Sequence, residues 1–402
     1  MNVTIHPGVA FGSVTAPPSK SMAHRALICA ALSEKSLVSN LAFSKDIEAT
    51  LSCLKALGAD CEINDNTAAL GGLDINSIPD NAKLFCNESG STLRFLIPLC
   101  MCAGKPVTLW GAKRLFERPL TVYEDIAKAQ NITFTKSIDS LTVCGKIKSG
   151  EYSVPGDISS QFISGLLFAL PILCGDSTLT VTGRFESASY IDLTLAALKD
   201  FGIEITRNNN VFYIKGSQRY NSHNHTVEGD CSNAAFLEAL NLLGGNVDIN
   251  GLNPDTLQGD RVYEDIFNGL NTKGGPFDLS DCPDLAPVCF AMAAYLGDAK
   301  FTGTARLRIK ESDRAAAMAE ELNKFGIEVQ IYENAVTVKG GSLQKPDRLL
   351  YSHNDHRVAM SLSLLCTKVG GTIACAEAVQ KSYPDFYNVL KDLKIGLVIN
   401  ED

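Results

Sequence analysis

Cationic and hydroxyl side chains recur at predicted helix starts along this 402-residue chain. In the segment PPSKSMAHRALICAAL, two prolines precede a Ser-Lys-Ser cluster, and an apolar helix follows. Ser21 and Arg25 lie four residues apart and share one helix face, as do Lys20 and His24. Backbone N–H groups, a hydroxyl and a guanidinium at one helix N-terminus can bind phosphate without a glycine-rich loop. An ordinary capped helix with solvated charges is the alternative.

The same pattern returns at five further places in the chain. The segments are NESGSTLRFL with Arg94, KRLFERPL with Arg118, RLRIKESDR with Glu311 among four cations, HNDHRVAM with Arg357, and QKSYPDFY with Lys381. Each alone is more typical of a solvated charged turn. A chain of net charge −9 that concentrates cations at helix starts nevertheless suits anionic ligands. If these cations converge, the pocket fits two phosphorylated substrates.

Composition excludes several classes of function. The net charge disfavours nucleic acid and anionic membrane surfaces as partners. The longest apolar run, from Phe162 to Cys174, is too short to cross a bilayer, so no membrane segment is expected. Thirteen cysteines without a CxxC pair predict reduced thiols, mostly in the core, and a cytoplasmic location. Length predicts two domains.

Motifs for other chemistries are missing from the sequence. It has no GxxxxGK[ST] and no strand followed by GxGxxG, which disfavours ATP hydrolysis and nicotinamide chemistry. It also lacks HExxH and GxSxG. His223 and His225, in the polar segment QRYNSHNHT, could bind a metal, but a solvated crossing between domains is favoured. We therefore predict no metal site and no cofactor.

An internal repeat organises the chain. A helix end, a residue that tolerates a left-handed backbone and a β-rich run recur at Gly58, Asn131, Gly202, Gly274 and Gly326, and again near the C-terminus. The copies lie roughly 70 residues apart, with one interval of about 50. This spacing predicts one small α+β module used six times. VPGDISSQF and VEGDCSNAAF further predict two Ser-capped helices.

These motifs together are similar to those of the 5-enolpyruvylshikimate-3-phosphate synthase family. The resemblance runs in order through SKSMAHRA, SGSTLRF, ERPL, DISSQF, YIDLT, CPDLAP, IKESDR, NDHRVAM and KSYPDF. It implies an α+β fold, a two-domain inside-out α/β barrel of six βαβαββ repeats, three in each domain. It further implies one domain of residues 1–18 plus 228–402, a second of residues 19–227, and an active site in the cleft between them.

The resemblance implies a reaction without metal or nucleotide. The 5-hydroxyl of shikimate 3-phosphate adds to C2 of phosphoenolpyruvate, and the tetrahedral intermediate loses phosphate. Glu311 resembles the family's proton-shuttling acid, Asp284 its base and Lys20 a cation that serves phosphoenolpyruvate and proton transfer. An acid needs a raised pKa, which the surrounding cations oppose.

The remaining positions divide by substrate. Residues that match shikimate 3-phosphate contacts are Lys20, Ser21, Arg25, Ser159, Ser160, Gln161, Ser187, Tyr190, Asp284 and Lys310. Residues that match phosphoenolpyruvate contacts are Lys20, Gly90, Arg118, Gln161, Arg314, Arg357 and Lys381. No other partner is expected, and the protein is expected to be a monomer.

The sequence departs from the family pattern at three positions. Arg306 replaces a common Asn, Glu88 adds a negative charge near an anion site, and Phe95 stands where Pro is frequent. Gly90 leaves room for glyphosate, a family inhibitor, so the resemblance predicts sensitivity to it.

Two other functions remain as alternatives. One is the related transferase acting on UDP-N-acetylglucosamine, disfavoured because Ser21 follows Lys20 where that family usually has Asn, and because residues 111–125 contain no cysteine. The other is a non-catalytic phosphosugar-binding protein, which would need neither Asp284 nor Glu311.

Overall fold

The computed structural model describes residues 1–272 and 274–400. The chain divides into two compact units. We call Pro18–Glu228 the continuous unit, and Met1–Pro17 with Gly229–Asp402 the discontinuous unit. Each unit has its own hydrophobic core.

Helices and strands alternate along the described ranges. The α-helices are α1 (Lys20–Leu32), α2 (Lys45–Ala56), α3 (Gly90–Cys102), α4 (Lys113–Glu117), α5 (Thr121–Ala129), α6 (Ser160–Ala169), α7 (Ala188–Asp200), α8 (Cys231–Leu242), α9 (Tyr263–Leu270), α10 (Ala286–Leu296), α11 (Arg314–Lys324), α12 (His356–Val369) and α13 (Phe386–Asp392). The strands are β1 (Asn2–Ile5), β2 (Phe11–Thr15), β3 (Ser36–Ser39), β4 (Asp60–Asn64), β5 (Thr67–Gly71), β6 (Ala82–Asn87), β7 (Val107–Gly111), β8 (Thr133–Lys136), β9 (Ser140–Cys144), β10 (Glu151–Pro155), β11 (Ser177–Thr182), β12 (Ile205–Asn208), β13 (Val211–Ile214), β14 (His225–Thr226), β15 (Asn246–Asn250), β16 (Phe277–Asp278), β17 (Ala299–Thr302), β18 (Glu328–Ile331), β19 (Ala335–Lys339), β20 (Leu350–Tyr351), β21 (Gly371–Ala374) and β22 (Leu397–Asn400).

The continuous unit contains three four-stranded sheets of the same topology. Their strand orders are β14-β3-β5-β4, β6-β7-β9-β8 and β10-β11-β13-β12. In each sheet the first two strands are parallel and the other neighbours are antiparallel. The chain order of the third is β10-α6-β11-α7-β12-β13, which is the predicted βαβαββ module.

The discontinuous unit repeats this topology. The sheets β16-β17-β19-β18 and β20-β21-β1-β22 have the same pattern of parallel and antiparallel neighbours. A third sheet is the parallel pair β15-β2. The N-terminal strands β1 and β2 thus complete sheets whose other strands lie more than 200 residues later in the sequence, which explains why this unit is discontinuous.

Left-handed residues end the repeated helices, as the sequence predicted. Gly58, Asn131, Gly202 and Gly326 have φ between 55° and 105° and each lies two residues after the end of a helix, whereas Gly274 (φ 64°) lies four residues after the end of α9. At the C-terminal copy the left-handed residue is Lys394 (φ 71°), after α13. A helix that ends in this conformation can release the chain directly into the next strand.

Two local predictions were wrong. The sequence MNVTIHPGVAF at the N-terminus is typical of a single strand. The segment instead forms two strands, β1 and β2, because Pro7 and Gly8 interrupt it and Pro lacks the N–H that a sheet requires. Helix α8 is capped by Asp230, whose carboxylate accepts from the backbone N–H of Asn233, and not by a serine. The predicted serine cap of α6 is confirmed, since Ser159 accepts from the N–H of Gln161.

Within the described ranges, every helix is too short or too polar to cross a lipid bilayer.

Candidate active site

In the discontinuous unit, Asp284 lies where three cations converge. Its Oδ1 accepts hydrogen bonds from Arg314 (2.7 Å) and from Lys310 (3.3 Å). Its Oδ2 accepts from Arg357 Nη2 at 3.2 Å, and its backbone carbonyl accepts from Arg357 Nη1 at 3.1 Å. The cations come from chain segments before and within α11 and α12, so the fold brings together three residues that the sequence assigned to the site.

Arg314 connects this carboxylate to two others. The first residue of α11, it is only 1% exposed, and Asp313 caps the helix. Its guanidinium also donates to Glu311 Oε2 at 2.8 Å and to Asp355 Oδ2 at 2.9 Å. A planar guanidinium holds the three carboxylates on three separate nitrogen atoms, whereas an ammonium group has all its donors on one atom.

The N-terminus of α12 adds the next part of the site. Asp355 caps this helix by accepting from the N–H of Arg357. Arg357 also donates to the hydroxyl of Ser232, at the start of α8, at 3.0 Å. Lys381, in a 3₁₀ turn, donates to the backbone carbonyl of Asn354 next to the cap. Helix N-termini and cations therefore meet in one cluster, an arrangement that stabilises anions.

The charges of this cluster perturb one another. Burial alone would raise the pKa of Asp284, but attraction to Arg357, then Lys310 and Arg314, outweighs it and holds that pKa well below its usual value. Burial lowers the pKa of Lys310, against its attraction to Asp284. Asp284 is therefore ionised at neutral pH and can accept a proton or a hydrogen bond.

The continuous unit presents a second set of helix starts. Lys20, the first residue of α1, forms an ion pair with Asp46 at the start of α2, with Nζ 2.8 Å from Oδ2. Both side chains are largely buried. The Lys20 ammonium is thereby fixed in position by a carboxylate that the sequence analysis did not single out.

The guanidinium of Arg25 forms hydrogen bonds within this unit. It donates to the hydroxyl of Thr194 at 2.8 Å and to the backbone carbonyls of Ser21 and Tyr190 at 2.6 and 2.9 Å. It also lies 5.2 Å from the ring centre of Phe95. Burial lowers its pKa to about 10. These bonds tie α1 to the start of α7.

The starts of α3 and α6 form a third contact region. A Cβ on Gly90 would lie 2.7 Å from Arg118 Nη1, so the guanidinium of Arg118 rests directly on this glycine. Arg118 is extended (φ −68°, ψ 146°), which is the conformation that a residue before proline favours. Gln161 donates to Ser91 Oγ at 3.0 Å and accepts from Arg94 at 2.8 Å.

A buried chain of hydrogen bonds connects these helix starts. His24 Nδ1 lies 2.8 Å from Thr50 Oγ1, which lies 2.6 Å from Thr92 Oγ1. Thr92 Oγ1 donates to Ser89 Oγ, the cap of α3, at 2.7 Å. Burial lowers the pKa of His24 well below its usual value, with Lys20 contributing. His24 is therefore a neutral positioning group that links α1, α2 and α3.

The other predicted residues lie at helix starts of the continuous unit. Ser159 and Ser160 begin α6, and Ser187 is the left-handed N-cap of α7. In the discontinuous unit, Arg306 is buried and donates to the carbonyl of Ser280.

Asp46, Ser232 and Asp355 are polar partners of the predicted cations that were not predicted from the sequence. Asp355 carried a usable signal, because Asp directly before an apolar helix is a typical N-cap.

Comparison with solved structures identifies the fold. The chain aligns with EPSP synthase from Acinetobacter baumannii over 99% of its length and all of that chain, with a TM-score of 0.81 at 22% identity. It also aligns with the enolpyruvyl transferase NikO from Streptomyces tendae, over 99% of this chain and 98% of that one, with a TM-score of 0.76 at 16% identity. The fold of repeated βαβαββ modules is thus shared with these two enzymes.

Sequence comparison is more specific. Residues 7–390 match the family described as EPSP synthase (3-phosphoshikimate 1-carboxyvinyltransferase). The chain is 42% identical to the 3-phosphoshikimate 1-carboxyvinyltransferase of Clostridium kluyveri, over 97% of both proteins. The chain belongs to the EPSP synthase family and is an enolpyruvyl-transferring enzyme. This assignment is favoured over the transferase that acts on UDP-N-acetylglucosamine.

Proposed function

We propose that this enzyme transfers the enolpyruvyl group of phosphoenolpyruvate to the 5-hydroxyl of shikimate 3-phosphate, which releases phosphate. The observation that carries the proposal is the cluster in which Lys310, Arg314 and Arg357 surround Asp284, with Glu311 on the same arginine. Cations can bind two polyanionic substrates, and the two carboxylates supply the base and the acid that addition and elimination require.

In this proposal Asp284 accepts the proton of the 5-hydroxyl as oxygen attacks C2 of phosphoenolpyruvate. A carboxylate with a strongly lowered pKa is a weak base. Binding of an anion to Arg314 and Arg357 would place negative charge near Asp284 and raise its pKa. Asp284 thus becomes a stronger base when the substrate is bound.

Glu311 is proposed to deliver the proton to the methylene carbon of phosphoenolpyruvate. The addition forms a C–O bond at C2 and a C–H bond at C3. The elimination breaks the C2–O bond to phosphate and returns a proton from C3 to a base. The contact between Glu311 and Arg314 keeps its carboxylate at a fixed place beside the base.

The continuous unit is proposed to supply the remaining substrate contacts. Lys20 and Arg118 would bind phosphoenolpyruvate, while Ser21, Gln161 and the α6 and α7 starts would bind shikimate 3-phosphate. We infer that both units serve the same pair of substrates. Variants of Lys20 and of Arg314 should then both weaken phosphoenolpyruvate binding in the presence of shikimate 3-phosphate, as measured by calorimetry.

Phosphate release provides the test of the function. The parent enzyme should release phosphate from phosphoenolpyruvate only when shikimate 3-phosphate is present. Glu311→Gln should reduce kcat by a factor on the order of 100 or more, whereas Glu320→Gln, an exposed glutamate on α11, should not. Absence of release by the parent would instead support a non-catalytic binding protein, and full activity of Glu311→Gln would remove Glu311 from the mechanism.

We also propose a cytoplasmic location and a monomeric state. The location is supported by the cysteines, all thirteen of which are free thiols, nine of them buried. Analytical ultracentrifugation of the enzyme at working concentration tests the monomer.

A further inference from the structure

A second group of titratable side chains lies in the continuous unit and has no part in the proposed reaction. One ligand atom each from Asp200, His223 and His225 lies within 4.8 Å of the others. Imidazole nitrogen and carboxylate oxygen are ligands that Zn²⁺ and neighbouring transition metals prefer. We propose that these residues form a binding site, the His₂Asp site, for a first-row divalent transition-metal ion such as Zn²⁺.

The local backbone places the two histidines on one face. Strand β14 pairs in parallel with β3. Ser222 and Asn224 accept hydrogen bonds, at 3.1 and 3.0 Å, from backbone N–H groups at the edge of β3. Successive side chains of an extended segment point to opposite sides. Side chains two residues apart therefore share a side, and the ring centroids of His223 and His225 lie 6.4 Å apart.

The end of α7 brings the carboxylate to that side. Asp200 is the last residue of the helix, and the carbonyl of Phe201 accepts from the N–H of Asn221 at 2.8 Å. The ring of His223 also packs edge-on against Phe201, with centroids 5.5 Å apart. The segment with the two histidines is thus fixed to the end of α7 through backbone and ring contacts. These contacts hold the three residues near one another.

The two ring nitrogens of His225 have different surroundings. Its Nδ1 lies 3.5 Å from Asp200 Oδ2. Its Nε2 is buried and makes no hydrogen bond in the described part of the chain. Nδ1 is therefore the ring nitrogen of His225 that faces the carboxylate and would share a metal ion with it.

To bind a metal ion, the three ligand atoms must move closer together than the 4.8 Å within which they lie. Bonds of about 2.0–2.1 Å to a tetrahedral Zn²⁺ place ligand atoms about 3.3 Å apart. The Asp200–His225 pair is already near this separation. The Asp200 side chain is 43% exposed, so its carboxylate can turn toward the histidines, and solvent can fill the remaining coordination position.

A second group with similar composition is a weaker candidate. Glu320, Glu321 and His353 also lie within ligand distance of one another. However, both oxygens of Glu321 already accept hydrogen bonds from Lys324, at 2.8 and 2.9 Å, and one also accepts from the N–H of Tyr351. Metal binding there would break these bonds. This group therefore provides a control.

Metal titration of the full-length enzyme tests the proposal. After treatment with EDTA and its removal, calorimetry with Zn²⁺ should show one ion per chain, and Co²⁺ should give visible bands of a nitrogen- and oxygen-ligated ion. His223→Gln and Asp200→Asn should each lower Zn²⁺ affinity by more than the roughly 10–100-fold typical of an outer-shell change. His353→Gln should leave it unchanged.

Two results would overturn the proposal. One is a Zn²⁺ affinity that is the same in the parent enzyme as in the His223→Gln and Asp200→Asn variants. The other is a thiolate-to-Co²⁺ charge-transfer band, which would assign binding to the exposed Cys174 or Cys375. The assay measures binding alone, so it is independent of the enolpyruvyl transfer reaction. Circular dichroism confirms that each variant is folded.

Discussion

Replacement of Arg314 by lysine is the sharpest test of how the site is held together. The arginine is 1% exposed. Its Nε, Nη1 and Nη2 donate at 2.9, 2.7 and 2.8 Å to the carboxylates of Asp355, Asp284 and Glu311. Lysine keeps the positive charge but concentrates its donors on one atom. Arg314→Lys therefore changes geometry while it preserves charge.

The expected loss follows from the number of bonds. An ammonium group at this position can reach one of the three carboxylates, so two hydrogen bonds are lost. Each hydrogen bond to a charged group contributes about 1.5–3 kcal/mol, so the loss is about 3–6 kcal/mol. The upper part of this range is favoured because Asp355 is fully buried and would lose its cation. This is a large part of the roughly 5–15 kcal/mol that stabilises a typical folded protein.

Urea unfolding can assign the loss to one unit. The only tryptophan, Trp110, lies in the continuous unit, so its fluorescence follows that unit, whereas circular dichroism follows both. Arg314→Lys should shift the dichroism transition of the discontinuous unit. Arg308→Lys is the matched control, because this exposed arginine lies nearby in sequence and donates to the backbone carbonyl of Tyr332.

Kinetics gives a second measure of the same change. If Arg314 also binds phosphoenolpyruvate, kcat/KM for this substrate should fall about 10- to 100-fold, which corresponds to one lost charge-assisted bond. The reasoning is refuted if Arg314→Lys is as stable as Arg308→Lys to within about 1 kcal/mol. In that case the three carboxylates do not depend on the guanidinium.

Two further predictions concern Gly90 and His353. Gly90→Ala should raise KM for phosphoenolpyruvate and weaken inhibition by glyphosate, because the added Cβ would lie 2.7 Å from the Arg118 guanidinium. Gly341→Ala is the control and should change neither quantity, because its Cβ meets nothing within 4 Å. Unaltered kinetics of Gly90→Ala would contradict the placement of Arg118. His353→Gln should destabilise the protein more at about pH 6 than at about pH 9, because the hydrogen bond to Glu321 raises the pKa of His353. A histidine whose pKa is raised by folding stabilises the protein below its unfolded pKa of about 6.5. This stabilisation is lost as the pH rises through the pKa of the folded state. Thermal unfolding at the two pH values measures this difference, and an equal loss at both would disprove the charged pair.

Local signals in the sequence predicted the positions of helix ends and helix starts. Gly58 and Asn131 were expected to have left-handed backbones, and they do. The Ser-Gly-Ser-Thr turn predicted the start of α3, where Ser89 is the cap. These features depend on neighbouring residues, so one segment of sequence is enough to predict them.

The pairing of charges could not be predicted in this way. Lys20 meets Asp46 across 26 residues, and Arg314 meets Asp355 across 41. The packing of different helices determines which charges pair, and this packing leaves no periodic signal in the sequence. For the same reason the sequence suggested Arg25 as a substrate contact but could not reveal that its guanidinium holds two backbone carbonyls.

The balance of charge in the discontinuous unit bears on how Glu311 could act as an acid. Three cations there, Lys310, Arg314 and Arg357, face three carboxylates, and each carboxylate contacts at least one cation. In this state the cations favour ionised carboxylates, which opposes proton donation. A bound polyanion would weaken this preference for ionised carboxylates, because its own negative charges would compete for the same cations. In the proposed mechanism, proton transfer by Glu311 is therefore expected only when phosphoenolpyruvate is bound, so that electrostatics would link substrate binding to the chemistry.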